Sequence, residues 1–253
     1  MSGGDDFGSL IDLTRAEIER VVASRAKLDT EDKVCNARKD ARMEALLLRE
    51  YHGRFLIELL QNARDAWLLE RKVRGGGLLR VRVAADRTLL VGNTGAAIDA
   101  NVLLYSLCKT GESTKQPGDG IGHKGVGFKS VLEVSDSPAV YSRPDGAPEF
   151  TLRARFDRET AVRTVREASP EWDAIAARLP SHLASAHEPH GQRIPVFDFP
   201  SWCEVPKQIR SRRAPRTRAV HSAGERRSSP CESAMTVFRA RSPASAMRPA
   251  RGS

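Results

Sequence analysis

The chain has 253 residues, 40% of them hydrophobic and 29% charged, with a formal charge of +9 at pH 7. This length and apolar content suffice for one sizeable core. The charge is uneven, because residues 207–253 carry twelve Lys or Arg against two Glu and leave residues 1–206 at −1, which argues against a basic, nucleic-acid-binding body.

Cys35, Cys108, Cys203 and Cys231 are far apart, with no CxxC pair, which argues against a zinc site or a disulfide framework. The start, "MSGGDDFGSL", has no basic region ahead of an apolar core, so it does not read as a secretory signal. No apolar run approaches the roughly 20 residues of a membrane helix. These features lead to the expectation of a soluble, cytoplasmic protein with no membrane partner.

Residues 9–48 read as helical. Leu13, Ile18, Val21 and Val22 recur near a 3.6-residue period, and Asp29 or Thr30 is placed to cap the second part. A stronger helix follows Gly53 in "RFLIELLQNARDAWLLERKV" and ends at Gly75–Gly77. In "LLRVRVAADRTLLVGN", Leu79, Val81 and Val83 alternate with Arg80 and Arg82, predicting a hairpin with one solvated face. A short helix is predicted from Asp99, then a polar loop, "KTGESTKQPGD", then a glycine cluster that opens a helix at "FKSVLEVS". Strands are predicted at "PAVYS", "EFTLRARF" and "IPVFDFPSW", with helix over 157–185 broken near Pro170. Beyond Pro206 the composition turns to Arg, Ser, Ala and Pro, which predicts a disordered tail.

Four glycines stand at 120, 122, 125 and 127 in "DGIGHKGVGFKS". Such a cluster is entropically unfavourable and calls for a reason. The P-loop pattern fails because Val126 stands where lysine is required. The dinucleotide fingerprint matches literally at Gly120, Gly122 and Gly125, but "ESTKQPGD" before it cannot form the strand that motif must follow. Gly122, Gly125 and Gly127 also fit Gly-x-x-Gly-x-Gly after a polar loop and at a helix start, where backbone amides and the helix dipole suit a phosphate chain.

Two further stretches carry polar chemistry. Glu58, Asn62 and Asp65 lie at i, i+4 and i+7 on one helical face. Glu58 is suited to polarise a water, and Asn62 to offer a neutral oxygen to Mg²⁺ already held by phosphates. Asn93, followed by the tight turn "NTG", is suited to read a base edge.

Together, "ELLQNARDA", "NTG" and "GHKGVGF" resemble the three nucleotide boxes of the GHKL ATPases. "IGHKGVGFKSVLEVSD" is more similar to the chaperone and sacsin-like branch than to the histidine kinases, covering residues 45–160 well and 10–206 loosely. The resemblance implies a Bergerat-type two-layer α+β sandwich, a mixed sheet with helices on one face. It would comprise an N-terminal helical segment (1–48), an ATP-binding domain (49–206) and the basic tail (207–253).

It also implies ATP and Mg²⁺ as ligands, slow hydrolysis, and a nucleotide-controlled switch acting on a protein client, a downstream domain or a second copy of the chain. Glu58 would be the general base and Asn62 the Mg²⁺ ligand. Asp65, Asn93 and Gly95 would lie near adenine. Gly122, Gly125 and Gly127 would hold the phosphates with Lys124 near them, Val126 and Phe128 would belong to the same ATP-binding stretch, and the lid would include Thr110, Ser113, Thr114 and Lys115. The alternatives are a non-hydrolysing ATP-binding scaffold or a fragment of a larger sacsin-like protein; nucleic acid would bind only non-specifically, through the tail.

Two departures stand out. Asn93 replaces the family's Asp, so its bond to adenine would lack charge assistance. The family also closes its sheet with a late strand that carries a Thr. "AMTVFRAR" at 234–241 is a candidate for it, but its Arg/Ser/Pro surroundings favour disorder.

Overall fold

The computed structural model describes residues 3–69, 77–109, 127–179, 194–206, 209 and 234–239. Three helices come first: α1 (Gly3–Ala26), α2 (Glu31–Glu50) and α3 (Phe55–Leu69). In α1, Ile18, Val21, Val22 and Ala26 form the buried stripe, whereas Leu13, expected to belong to it, is exposed. Thr30 caps α2 by accepting a hydrogen bond from the Lys33 N–H, with Glu31 and Asp32 in the first turn, where acidic charge suits the helix dipole.

Strands β1 (Leu79–Val83) and β2 (Thr88–Asn93) form the expected hairpin, in register from Leu79 opposite Asn93 to Val83 opposite Leu89. A short helix, α4 (Ala100–Val102), is capped by the Asp99 carboxylate. It runs into a wider π turn over Leu103–Leu107. The helix expected at "FKSVLEVS" is a 3₁₀ helix, Gly127–Glu133. Then come β3 (Ala139–Ser142), β4 (Leu152–Arg155), α5 (Arg158–Ala168), α6 (Trp172–Arg178), β5 (Ser201–Trp202) and β6 (Ala234–Arg239).

One six-stranded sheet runs in the order β1-β2-β6-β3-β4-β5. Val91, Val140, Leu152 and Ala154 face the large core, to which α1, α2, α3, α5 and α6 all contribute. The opposite face carries a small cluster of Leu90, Ala139 and Tyr141 under Cys203 and Val205. The molecule is thus a mixed α/β fold with its helices gathered on one side of an antiparallel sheet, and α1 and α2 share that core.

Four expectations need correction. The tail expected to lack structure supplies β6, a central strand that pairs with both β2 and β3; Thr236 stands opposite Val91 on one side and Val140 on the other. The expected mixed sheet is antiparallel at every described pairing. The reason is the same strand: β2 and β3 run in the same direction, and β6 between them is antiparallel to each.

The third correction concerns "IPVFDFPSW", where only Ser201 and Trp202 pair, with Arg155 and Ala154. Pro195 and Pro200 have no N–H to give a ladder, and the N–H groups of Val196 and Phe197 donate instead to the Glu44 carboxylate at 2.8 and 2.9 Å. The fourth concerns β1, which is exposed along its whole length, Leu79, Val81 and Val83 included. It is an edge strand of the sheet, and neither of its faces is covered, whereas the alternation predicted one buried face.

Candidate functional site

Helix α3 buries Leu59 and Ala63 in the core and two carboxylates with them. Its carboxylates at Glu58 and Asp65 are only 8% and 2% exposed, while Leu56 and Ile57 are 37% and 50% exposed. Acidic side chains are seldom buried without a partner or a purpose. Asn62, one turn from each, is half-buried. Asp65 has the Arg64 guanidinium 3.7 Å from its Oδ1.

Both of the other sequence stretches meet this helix. At its N-terminal end, the backbone of Gly127 lies so close to Glu58 that a Cβ there would strike the carboxylate, standing 2.8 Å from Glu58 Cδ and 3.1 Å from its Cβ. At its C-terminal end, Gly95 adopts φ +131°, and a Cβ there would lie 2.6 Å from the Ala66 carbonyl carbon and 2.7 Å from Trp67 N. The next residue, Ala96, donates its N–H to the Ala66 carbonyl at 2.9 Å. Gly95 therefore lets the "NTG" turn press onto α3 itself, a contact the sequence reading did not include.

Asn93 ends β2 between Leu79 and Ala234, with its Nδ2 donating to the Thr94 carbonyl at 3.2 Å. Thr94 clamps the hairpin base: its N–H donates to Leu78 O, and its Oγ1 accepts from Leu78 N. The Phe128 ring packs in the core, edge-on to Phe156 and Phe197, rather than at the surface. Thus Glu58, Asn62, Asp65, Gly95 and Gly127 are brought together along α3, with Asn93 two residues from the Gly95 contact. Gly122, Lys124, Gly125 and Val126, and Thr110, Ser113, Thr114 and Lys115, lie outside the described residues.

The sequence reading missed a buried polar group beside this site. Lys129 is 1% exposed. Its ammonium donates to the Cys108 carbonyl at 2.8 Å, lies 4.0 Å from Glu44 Oε1 and sits 4.9 Å above the Phe197 ring. Burial pushes the Glu44 carboxyl above its ordinary range, against the pull of Lys129 and of the Phe197 and Val196 N–H groups. Burial does the same to Asp198 and Asp40 nearby, and raises the Cys108 thiol to about 12. The available signal was position: Glu44 falls on the buried stripe of Ala37, Ala41 and Leu47, and Lys129 interrupts an apolar run.

No known protein-family model matches the chain. It is similar to Protein NO VEIN of Arabidopsis thaliana, 36% identical over 95 residues, which is 35% of this chain. The chain spans about 3% of that relative's length. Among the described residues, no helix is long and apolar enough to cross a membrane.

Proposed function

We propose that the chain is a Mg²⁺-dependent ATP-binding module of the GHKL type that hydrolyses ATP slowly. The observation that carries this reading is the meeting of Glu58 and Gly127. The last glycine of the phosphate-type cluster has no room for a side chain because the carboxylate of the helix occupies it. A phosphate chain lying along those glycines would present its terminal phosphorus near that carboxylate. Glu58 is then placed to take the proton of an attacking water.

Further support comes from the sheet. A late strand, Ala234–Arg239, lies between β2 and β3 with Thr236 level with Val91, close to the end of β2 where Asn93 would read the base. This arrangement favours the Bergerat form of the α/β fold, with β6 as its closing strand. Asn93 and the turn at Gly95 would form the adenine end of the site, with Asp65 beside them.

The donor set suits Mg²⁺ only in company with phosphates. Among the described residues no group of three or more His, Cys, Asp or Glu is assembled. A half-buried Asn62 carbonyl oxygen is the kind of single, neutral ligand that a phosphate-held Mg²⁺ accepts, and the ion would offset charge on the phosphates.

Phosphate release from Mg-ATP by the full chain tests the reading. The wild type is expected to turn over slowly. Glu58→Gln is expected to lower kcat about 100-fold or more, the usual contribution of a general base, with KM little changed. A Glu58→Gln rate equal to the wild type would remove Glu58 from the chemistry. Binding without any turnover in the wild type would favour the non-hydrolysing scaffold.

A further inference from the structure

We infer that Lys129 is the positioning residue for the Glu58–Gly127 contact, an inference that rests on the ATPase reading of that site. A buried ammonium is costly unless it is paired and hydrogen-bonded, and well-packed apolar replacements of such pairs are often at least as stable. Stability alone is therefore a weak reason for a lysine here. Its geometry suggests a stronger one.

Lys129 lies two residues beyond Gly127 on the same 3₁₀ helix. Its ammonium reaches across to the Cys108 carbonyl at 2.8 Å, at the end of the π turn. That turn is wide, with the Cys108 N–H donating to Leu103 O, and its carbonyls are taken by side chains: Arg25 donates to Leu104 O at 2.7 Å, and Lys129 to Cys108 O. On its other side, Lys129 faces Glu44, whose carboxylate accepts the Val196 and Phe197 N–H groups. Lys129 thus fastens the first turn of the 3₁₀ helix to the π turn and to Glu44 of α2, and Glu44 in turn holds residues 196–197. A second bond, from Ser130 Oγ to the Gly127 carbonyl at 2.6 Å, stiffens that turn internally.

The consequence falls on Gly127. Its backbone and the Glu58 carboxylate are in close contact, so a small shift of the 3₁₀ helix changes where the carboxylate can sit. Misplacing a reacting group by about 1 Å can lower a rate about 100-fold. Lys129 is only 1% exposed and its ammonium is engaged by the Cys108 carbonyl and Glu44, so it acts through Gly127, on rate rather than affinity.

The test uses the full chain and a background that removes both charges, Glu44→Gln with Lys129→Met. Glu44→Gln with Lys129→Gln serves as a second version if the methionine variant does not fold. Two readouts are taken. The first is independent of ATP: Gly127→Ala is expected to lower the melting temperature at most half as much in the double-variant background as in the wild type, because the released helix can move away from Glu58. The second is turnover: kcat is expected to fall about 10-fold or more, with the Kd for Mg-ATP within about 3-fold of wild type.

An equal Gly127→Ala effect in both backgrounds would overturn the inference. So would a folded double variant that keeps wild-type kcat. A wild type that neither binds nor hydrolyses Mg-ATP, with the melting-temperature coupling still present, would fail the ATPase reading while leaving Lys129 as the residue that holds Gly127 on Glu58.

Discussion

Gly127→Ala probes the contact on which the site is built. The added Cβ would lie 2.8 Å from Glu58 Cδ and 3.1 Å from Glu58 Cβ, and both are well inside ordinary carbon–carbon contact of about 3.5–4.0 Å. The carboxylate can swing, but the Glu58 Cβ is fixed to the backbone of α3, so the 3₁₀ helix must also give. Overpacking of this kind costs about 1–3 kcal/mol. The lower backbone entropy of alanine in the unfolded chain offsets about 0.5–1 kcal/mol, and Gly127 is not among the glycines with positive φ. A net loss of about 1–2 kcal/mol corresponds to about 2–8 °C in melting temperature for a chain of this size.

Thermal unfolding followed by circular dichroism measures this directly. Glu58→Ala removes the colliding carboxylate, so the Glu58→Ala/Gly127→Ala pair is expected to be less destabilised than the sum of the singles by about 0.5 kcal/mol or more. A Gly127→Ala protein as stable as the wild type, or strict additivity in the pair, would refute the contact.

Gly95→Ala combines φ +131° with a collision against the backbone of Ala66 and Trp67, and should cost about 2–5 kcal/mol. Gly146→Ala, at φ +79° in open space, should cost only about 1–2 kcal/mol, and melting curves that rank the two the other way would contradict the packing of the "NTG" turn on α3. Thr236→Pro removes an N–H from a strand paired on both sides and should cost about 3 kcal/mol or more; a wild-type melting curve would mean that β6 is not in the sheet. Asp157→Ala should cost about 1 kcal/mol, since its carboxylate caps α5 at 2.8 Å, and Thr30→Ala less, because its cap bond is long at 3.4 Å; denaturant midpoints would show the order.

Asp198 supplies a pH test. Burial raises its carboxyl above the ordinary range, with Lys129 opposing and Asp40 reinforcing the shift. The folded state therefore holds this proton more tightly than the unfolded chain does. Its contribution is most favourable below about pH 4 and is lost as pH rises through the raised value. Asp198→Asn should accordingly raise the melting temperature at pH 7.5 and leave it unchanged at pH 3.5, and an equal change at both would contradict the burial argument.

Local pattern carried much of this architecture. The 3.6-residue period in α1, the alternation in β4, the cap at Thr30 and the helix start at Asp99 are visible residue by residue, because each depends on near neighbours. What escaped depends on partners distant in sequence. Val196 and Phe197 have strand-like composition, but their N–H groups are claimed by Glu44, about 150 residues earlier. Thr236 sits in a short strand candidate whose surroundings are basic and polar, and its partners β2 and β3 lie about 100 or more residues earlier.

Leu79, Val81 and Val83 alternate as a buried face would, yet a strand's place at the sheet edge is not written in its own residues. The candidate site divides in the same way. Glu58, Asn62, Asp65 and the glycines were legible as motifs. The seating of Gly95 on Ala66, the Phe128 ring in the core and the Lys129–Glu44 group were not, since each arises from tertiary packing.

Calorimetric titration of Mg-ATP into the full chain tests the central claim most directly, with Glu58→Gln and Gly125→Val alongside. The account expects saturable binding that survives Glu58→Gln and is lost in Gly125→Val, with all three proteins folded by circular dichroism. No binding to a folded wild type, or binding untouched by Gly125→Val, would contradict it.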